Sequence, residues 1–94
     1  MIRSFRSRAL RRFWTKSDAS GLRGDWVRKI ERQLTLLDSA SAPEDMDLVT
    51  FGFHRLTGDH AGRFSVTVSR NWRLTFAFDG QDAVEVDLED YHGR

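Results

Sequence analysis

Between Phe64 and Glu89 the chain alternates apolar and polar residues in three runs, and this constrains its fold more than any other feature. Phe64, Val66 and Val68 alternate with Ser65 and Thr67; Trp72, Leu74, Phe76 and Phe78 alternate with Arg73, Thr75 and Ala77; Val84, Val86 and Leu88 alternate with Glu85, Asp87 and Glu89. Successive side chains of a strand point to opposite faces, so each run is a strand with one apolar face. The tripeptide SRN and the tetrapeptide DGQD separate the runs, which predicts an antiparallel meander.

The first half has another period. Leu10, Phe13 and Trp14 recur at helical spacing over residues 6–16, with Ala9 alongside and Arg8, Arg11, Arg12 and Lys16 on the remaining surface. Trp26, Val27, Ile30, Leu34 and Leu37 predict a second helix over residues 25–40, with Asp25 placed to cap it. The opening MIRSF alternates and can form a short strand, whereas SASAPED, with the single proline, ends the second helix. Two helices followed by a meander is an α+β layer architecture in one domain spanning residues 1–94. The helices are expected to cover the apolar face of the sheet. The other face, bearing His54, Thr67, Arg73, Glu85 and Asp87, is expected to be open for binding.

Composition narrows the function. No cysteine is present, which excludes a disulfide framework and a thiolate metal site and fits a reducing cytoplasm. No apolar run approaches the roughly 20 residues of a membrane span. The acid-free opening MIRSFRSRALRRFWTK has the composition of a transit peptide, but losing it would remove about a fifth of a minimal domain, so it is read as part of the fold. Residues 1–42 carry ten Arg or Lys against four Asp or Glu, and residues 43–94 carry five against ten, giving +6 and −5 within a net charge of +1. A basic face built by the first half suits a polyanion; mutual neutralisation within the fold is the alternative.

The histidines His54, His60 and His92 form no helical ligand pair, and no P-loop, GxGxxG or GxSxG occurs, so neither a metal nor a nucleotide cofactor is expected. Arg73, in mid-strand, holds a planar fork suited to phosphate on a rigid backbone. An ordinary cross-strand ion pair with Glu85 or Asp87 is the other reading of it. His54 precedes a short strand, and Asp90, Tyr91 and His92 follow the last one directly, so these residues can converge on Arg73's side of the sheet. Histidine and tyrosine move protons near neutral pH, and Asp90 can orient an imidazole. Such a set suits metal-free RNA cleavage, in which a ribose 2′-OH attacks the adjacent phosphorus and an arginine stabilises the developing charge.

The stretches HRLTGDHAGRFSVTVSRNWRLTFAF and DAVEVDLEDYH, with MIRSFRSRALRRFW and SAPEDM, strongly resemble the HigB-type toxins of bacterial type II toxin–antitoxin systems, within the RelE superfamily of messenger-RNA interferases. The resemblance covers nearly all 94 residues; NWR and a terminal DYH at this spacing are its most specific marks. It implies a compact α+β fold and a metal-independent, ribosome-dependent endoribonuclease. It implies a helix-turn-helix (HigA-like) antitoxin partner, and binding of operator DNA through that antitoxin. It implies catalytic work for His54, Asp90, Tyr91 and His92, and phosphate contact for Arg73, without deciding which histidine is the base. Many relatives carry a lysine where this chain has Thr57. Arg55 or Arg63 can replace it as an RNA contact, although Arg55 is expected to point away from His54. A non-enzymatic module that binds an antitoxin or nucleic acid is the competing reading, and a structural ribosome-associated protein a third.

Overall fold

The computed structural model describes residues 1–91, and His92 lies outside them. Within them lie helix α1 (Arg8–Lys16), helix α2 (Val27–Ser39) and four strands, β1 (His54–Arg55), β2 (Phe64–Thr67), β3 (Trp72–Asp79) and β4 (Asp82–Asp90). The strands form one antiparallel sheet in the order β1-β2-β3-β4, so the α+β meander is as expected.

Helix α1 begins where the Ser7 hydroxyl accepts a hydrogen bond from the Leu10 amide, and ends at Ser17 in a left-handed conformation. Helix α2 starts otherwise than expected. A short 3-10 turn, Gly24–Trp26, precedes it, and Asp25 does not cap it. The Asp25 carboxylate instead takes a two-pronged bond from Arg23, which also stacks on Trp26. The buried residues Leu10, Ile30, Leu34 and Leu37 of the helices meet Val66, Leu74, Phe76, Ala83 and Val86 of the sheet in one core. No helix among the described residues is long and apolar enough to cross a membrane.

Two features break the simple alternation. The register of β3 with β4 slips between Thr75↔Asp87 and Ala77↔Val84, which inserts one extra residue into β4 at Glu85. Glu85 adopts φ +54, the left-handed bulge conformation. The slip moves Ala83, and not Val84, into the core beside Val86. Beyond β4 the opening residues run parallel to it, with bridges Ile2↔Ala83 and Phe5↔Val86, so MIRSF does add to the sheet edge. The Ser4 hydroxyl accepts from the displaced Glu85 amide and fastens the bulge.

The face turned away from the helices is not open along its length. Ser65 and Thr75 on it are fully buried. The loop before β1 crosses one end, where Gly52 approaches Thr67, and the Arg63 side chain lies across the middle. The β1–β2–β3 end holds a cleft of about 220 Å³ lined by His54, Arg55, Leu56, Thr57, Ser65, Arg73 and Tyr91.

Candidate active site

Arg73 is the centre of this cleft, and neutral groups hold it. Its Nε donates to Ser65 Oγ at 2.7 Å, and its NH2 donates to the Gly52 carbonyl at 2.6 Å. The same NH2 lies 2.9 Å from His54 Nδ1, and the Tyr91 ring stands 5.9 Å from the guanidinium carbon. Among the described residues Arg73 forms no ion pair with Asp or Glu, so the cross-strand pair with Glu85 or Asp87 is not what forms. Burial lowers its pKa from the ordinary value, with Tyr91 acting the other way, yet an arginine stays charged at neutral pH. A cation fixed by neutral acceptors keeps its charge for an anion.

His54 Nδ1 is also 2.9 Å from the Gly52 carbonyl. One ring nitrogen cannot donate to that carbonyl and accept from Arg73 at once. With the proton on Nδ1, Gly52 is the acceptor and the Nε2 lone pair is the basic site. With Nδ1 accepting from Arg73, the proton sits on Nε2. The Gly52 carbonyl therefore orients both the Arg73 and the His54 side chains. Gly52 holds φ +60, and a Cβ there would lie 2.6 Å from Thr67 Oγ1, so glycine is needed twice over. Sequence reasoning missed Gly52 and Ser65; the only local signal was a glycine between two phenylalanines in an irregular stretch.

The other expected residues divide. Tyr91 reaches the cleft because its strand ends beside Arg73, with the Tyr91 amide donating to the Asn71 carbonyl. Asp90 is exposed and pairs in register with Trp72, and it is not among the residues that line the cleft. Arg55 is exposed and opposite Phe64, over whose ring it lies, and it bonds to Glu44. That bond draws the Glu44 pKa down. Arg63 is only 7% exposed and its NH2 donates to Thr75 Oγ1 and the Glu85 carbonyl, so it is not a surface contact for RNA as expected. Thr57 lines the cleft mouth. No three His, Cys, Asp or Glu side chains among the described residues are grouped to hold a metal ion.

Helices on one side of an antiparallel meander, with a cleft on the other that offers a guanidinium, an imidazole and a phenol, define a small α+β protein equipped to grip and act on an anion. The chain is 36% identical over 92 residues to "Endoribonuclease HigB" of Proteus vulgaris, covering 98% of this chain and all of that protein. Its fold matches YafQ from E. coli strain BL21(DE3) with a TM-score of 0.61 over 96% of this chain and 93% of that one; at 12% identity this likeness concerns the fold alone. The family model for the RelE-like toxin of type II toxin–antitoxin system HigB matches residues 3–92, and the chain belongs to that family. Membership in a type II toxin–antitoxin system implies an antitoxin as partner.

Proposed function

We propose that this toxin is an endoribonuclease that cleaves messenger RNA on the ribosome and so stops translation. The observation that carries the reading is Arg73, a cation held by Ser65 and Gly52 and unpaired with any carboxylate among the described residues, beside His54 and Tyr91. Arg73 grips the scissile phosphate and stabilises the charge that builds on it. His54, with Nδ1–H bonded to Gly52, takes the 2′-OH proton at Nε2. The 2′-oxygen bonds to phosphorus, the 5′-oxygen leaves, and Tyr91 or His92 supplies its proton. The products are a 2′,3′-cyclic phosphate and a 5′-hydroxyl. These steps consume no cofactor. Asp90 serves to orient an imidazole and fix its tautomer.

The remaining expectations follow. The 94 residues act as one domain in the bacterial cytoplasm. The basic outer face of α1, where Arg8, Arg11, Arg12 and Lys16 line a shallow groove, contacts ribosomal or messenger RNA through phosphates. The antitoxin is a helix-turn-helix protein that carries the complex to operator DNA. Inducible expression in bacteria, with mapping of mRNA 5′ ends after a short pulse, tests the reading. Wild type is expected to arrest growth and cut within codons, and Arg73→Ala to do neither; intact mRNA after wild-type induction overturns it. Thr57 at the cleft mouth, where many relatives carry lysine, favours one second reading, a catalytically weak module that only binds antitoxin or nucleic acid. That module would form the complex without toxicity.

A further inference from the structure

The pairing of β3 with β4 sets Glu89 directly opposite Arg73, on the same face of the sheet. Cross-strand neighbours lie within reach of each other, and a carboxylate is the natural occupant of an arginine fork. Glu89 nevertheless turns elsewhere. Its Oε2 accepts from the Thr75 hydroxyl and stands 4.0 Å from Arg63 NH2. The same NH2 donates to Thr75 Oγ1 at 2.9 Å and to the Glu85 carbonyl at 2.8 Å. Arg63, Thr75 and Glu89 thus form one chain of donors and acceptors under the sheet, each link polarising the next.

We infer that Arg63 is a positioning residue for the cleft: by drawing Glu89 under the sheet, it keeps that carboxylate off Arg73 and leaves the Arg73 fork to phosphate. The inference rests on the phosphate-gripping role proposed for Arg73.

Burial and charge support it. The Arg63 and Glu89 side chains are 8% and 20% exposed, so neither charge is well solvated and each needs the other. The surroundings of the two arginines differ accordingly. Burial and the nearby Arg6 lower the Arg63 pKa, and the carboxylates of Glu89, Asp87 and Glu85 act the other way, whereas burial lowers that of Arg73 with Tyr91 as its opposing charge. Nε and NH1 of Arg63 have no hydrogen-bond partner among the described residues, so its hold on Glu89 is mainly electrostatic and passes through Thr75. Without Arg63, the half-buried Glu89 would face Arg73 across the ladder as its remaining counter-charge. A phosphate would then have to displace an internal carboxylate.

A double-mutant cycle tests this. Wild type, Arg63→Met, Glu89→Gln and the double variant are compared for binding of a short single-stranded RNA made uncleavable by 2′-deoxy substitution, read by fluorescence anisotropy. Arg63→Met is expected to weaken binding about tenfold, Glu89→Gln to leave it within about twofold of wild type, and the double variant to recover to within about twofold. Thr75→Val, nearly isosteric, removes the relay alone and is expected to weaken binding less, again with recovery by Glu89→Gln. That second pair carries the comparison if Arg63→Met does not fold. A double variant as weak as Arg63→Met, or Arg63→Met binding as wild type, overturns the inference. Binding is measured apart from cleavage. A wild type that binds RNA but cuts no mRNA on ribosomes would therefore sink the proposed activity and leave the cycle readable.

Discussion

The carbonyl oxygen of Gly52 accepts a hydrogen bond at 2.6 Å from NH2 of Arg73, across 21 residues of sequence. A backbone oxygen, and not a carboxylate, therefore aims the arginine, and the same oxygen is within bonding distance of His54. Gly52→Ala is expected to disturb both at once. Left-handed φ costs a side-chain-bearing residue about 1–2 kcal/mol, and the new Cβ collides with Thr67. Thermal unfolding is expected to shift down, and mRNA cleavage to fall further than the lost stability explains. Unchanged cleavage would show that the Gly52 carbonyl does not orient the site.

Arg73→Lys keeps the charge and loses the fork. An ammonium cannot reproduce the separate bonds from Nε to Ser65 and from NH2 to Gly52 while facing a phosphate. A fall in kcat of about 100-fold or more is expected for Arg73→Ala, as for loss of one transition-state donor, with Arg73→Lys between it and wild type. Single-turnover cleavage on programmed ribosomes measures both; a lysine variant equal to wild type would reduce Arg73 to a point charge.

Tyr91→Phe separates the ring from its hydroxyl. The ring's position over Arg73 is retained, so folding and RNA binding are expected to hold. If the phenol delivers the proton to the leaving oxygen, kcat drops by about 100-fold. A phenylalanine variant with full kcat would assign that step to His92.

Leu34 is fully buried between α2 and the sheet. Leu34→Ala is expected to cost about 2–5 kcal/mol in denaturant unfolding, with cleavage per folded molecule unchanged. A cost below that range would mean that the core collapses around the missing side chain.

Asp82 anchors the opening segment through Arg3, at 3.0 Å, and the terminal ammonium, at 3.5 Å. The hydrogen bond from Arg3 is the chief cause that lowers its pKa in the folded chain. A depressed carboxylate stabilises the fold above its unfolded pKa of about 3.9, and that contribution disappears as pH falls through the folded value. Asp82→Asn is expected to lower stability near neutral pH and to make its acid limb shallower. Parallel acid limbs for the two proteins, followed by thermal melting from pH 7 to pH 2, would contradict this.

Much of the site was legible before the fold. Arg73 in a mid-strand polar position, His54 before a short strand, and Tyr91 directly after the last one all follow from a period of two, and all three line one cleft. Asp90 falls opposite Trp72 in the ladder, a register that only the paired strands define. Arg63 was misread because burial is not a property of its own neighbourhood in the chain; flanked by Gly62 and Phe64, it looks like any loop cation.

Sequence alone determined the α+β class, the order of helices and strands, and the apolar face of the sheet, because helical and strand periodicities are written in short-range spacing. Tertiary structure alone decided which cation stays accessible and which is buried. The extra residue at Glu85, the parallel opening segment beside β4, the Gly52 carbonyl under Arg73, and Arg63 drawing Glu89 aside all join residues far apart in the chain. Their energies depend on desolvation and on the distance between charges, and only the folded chain sets those two quantities.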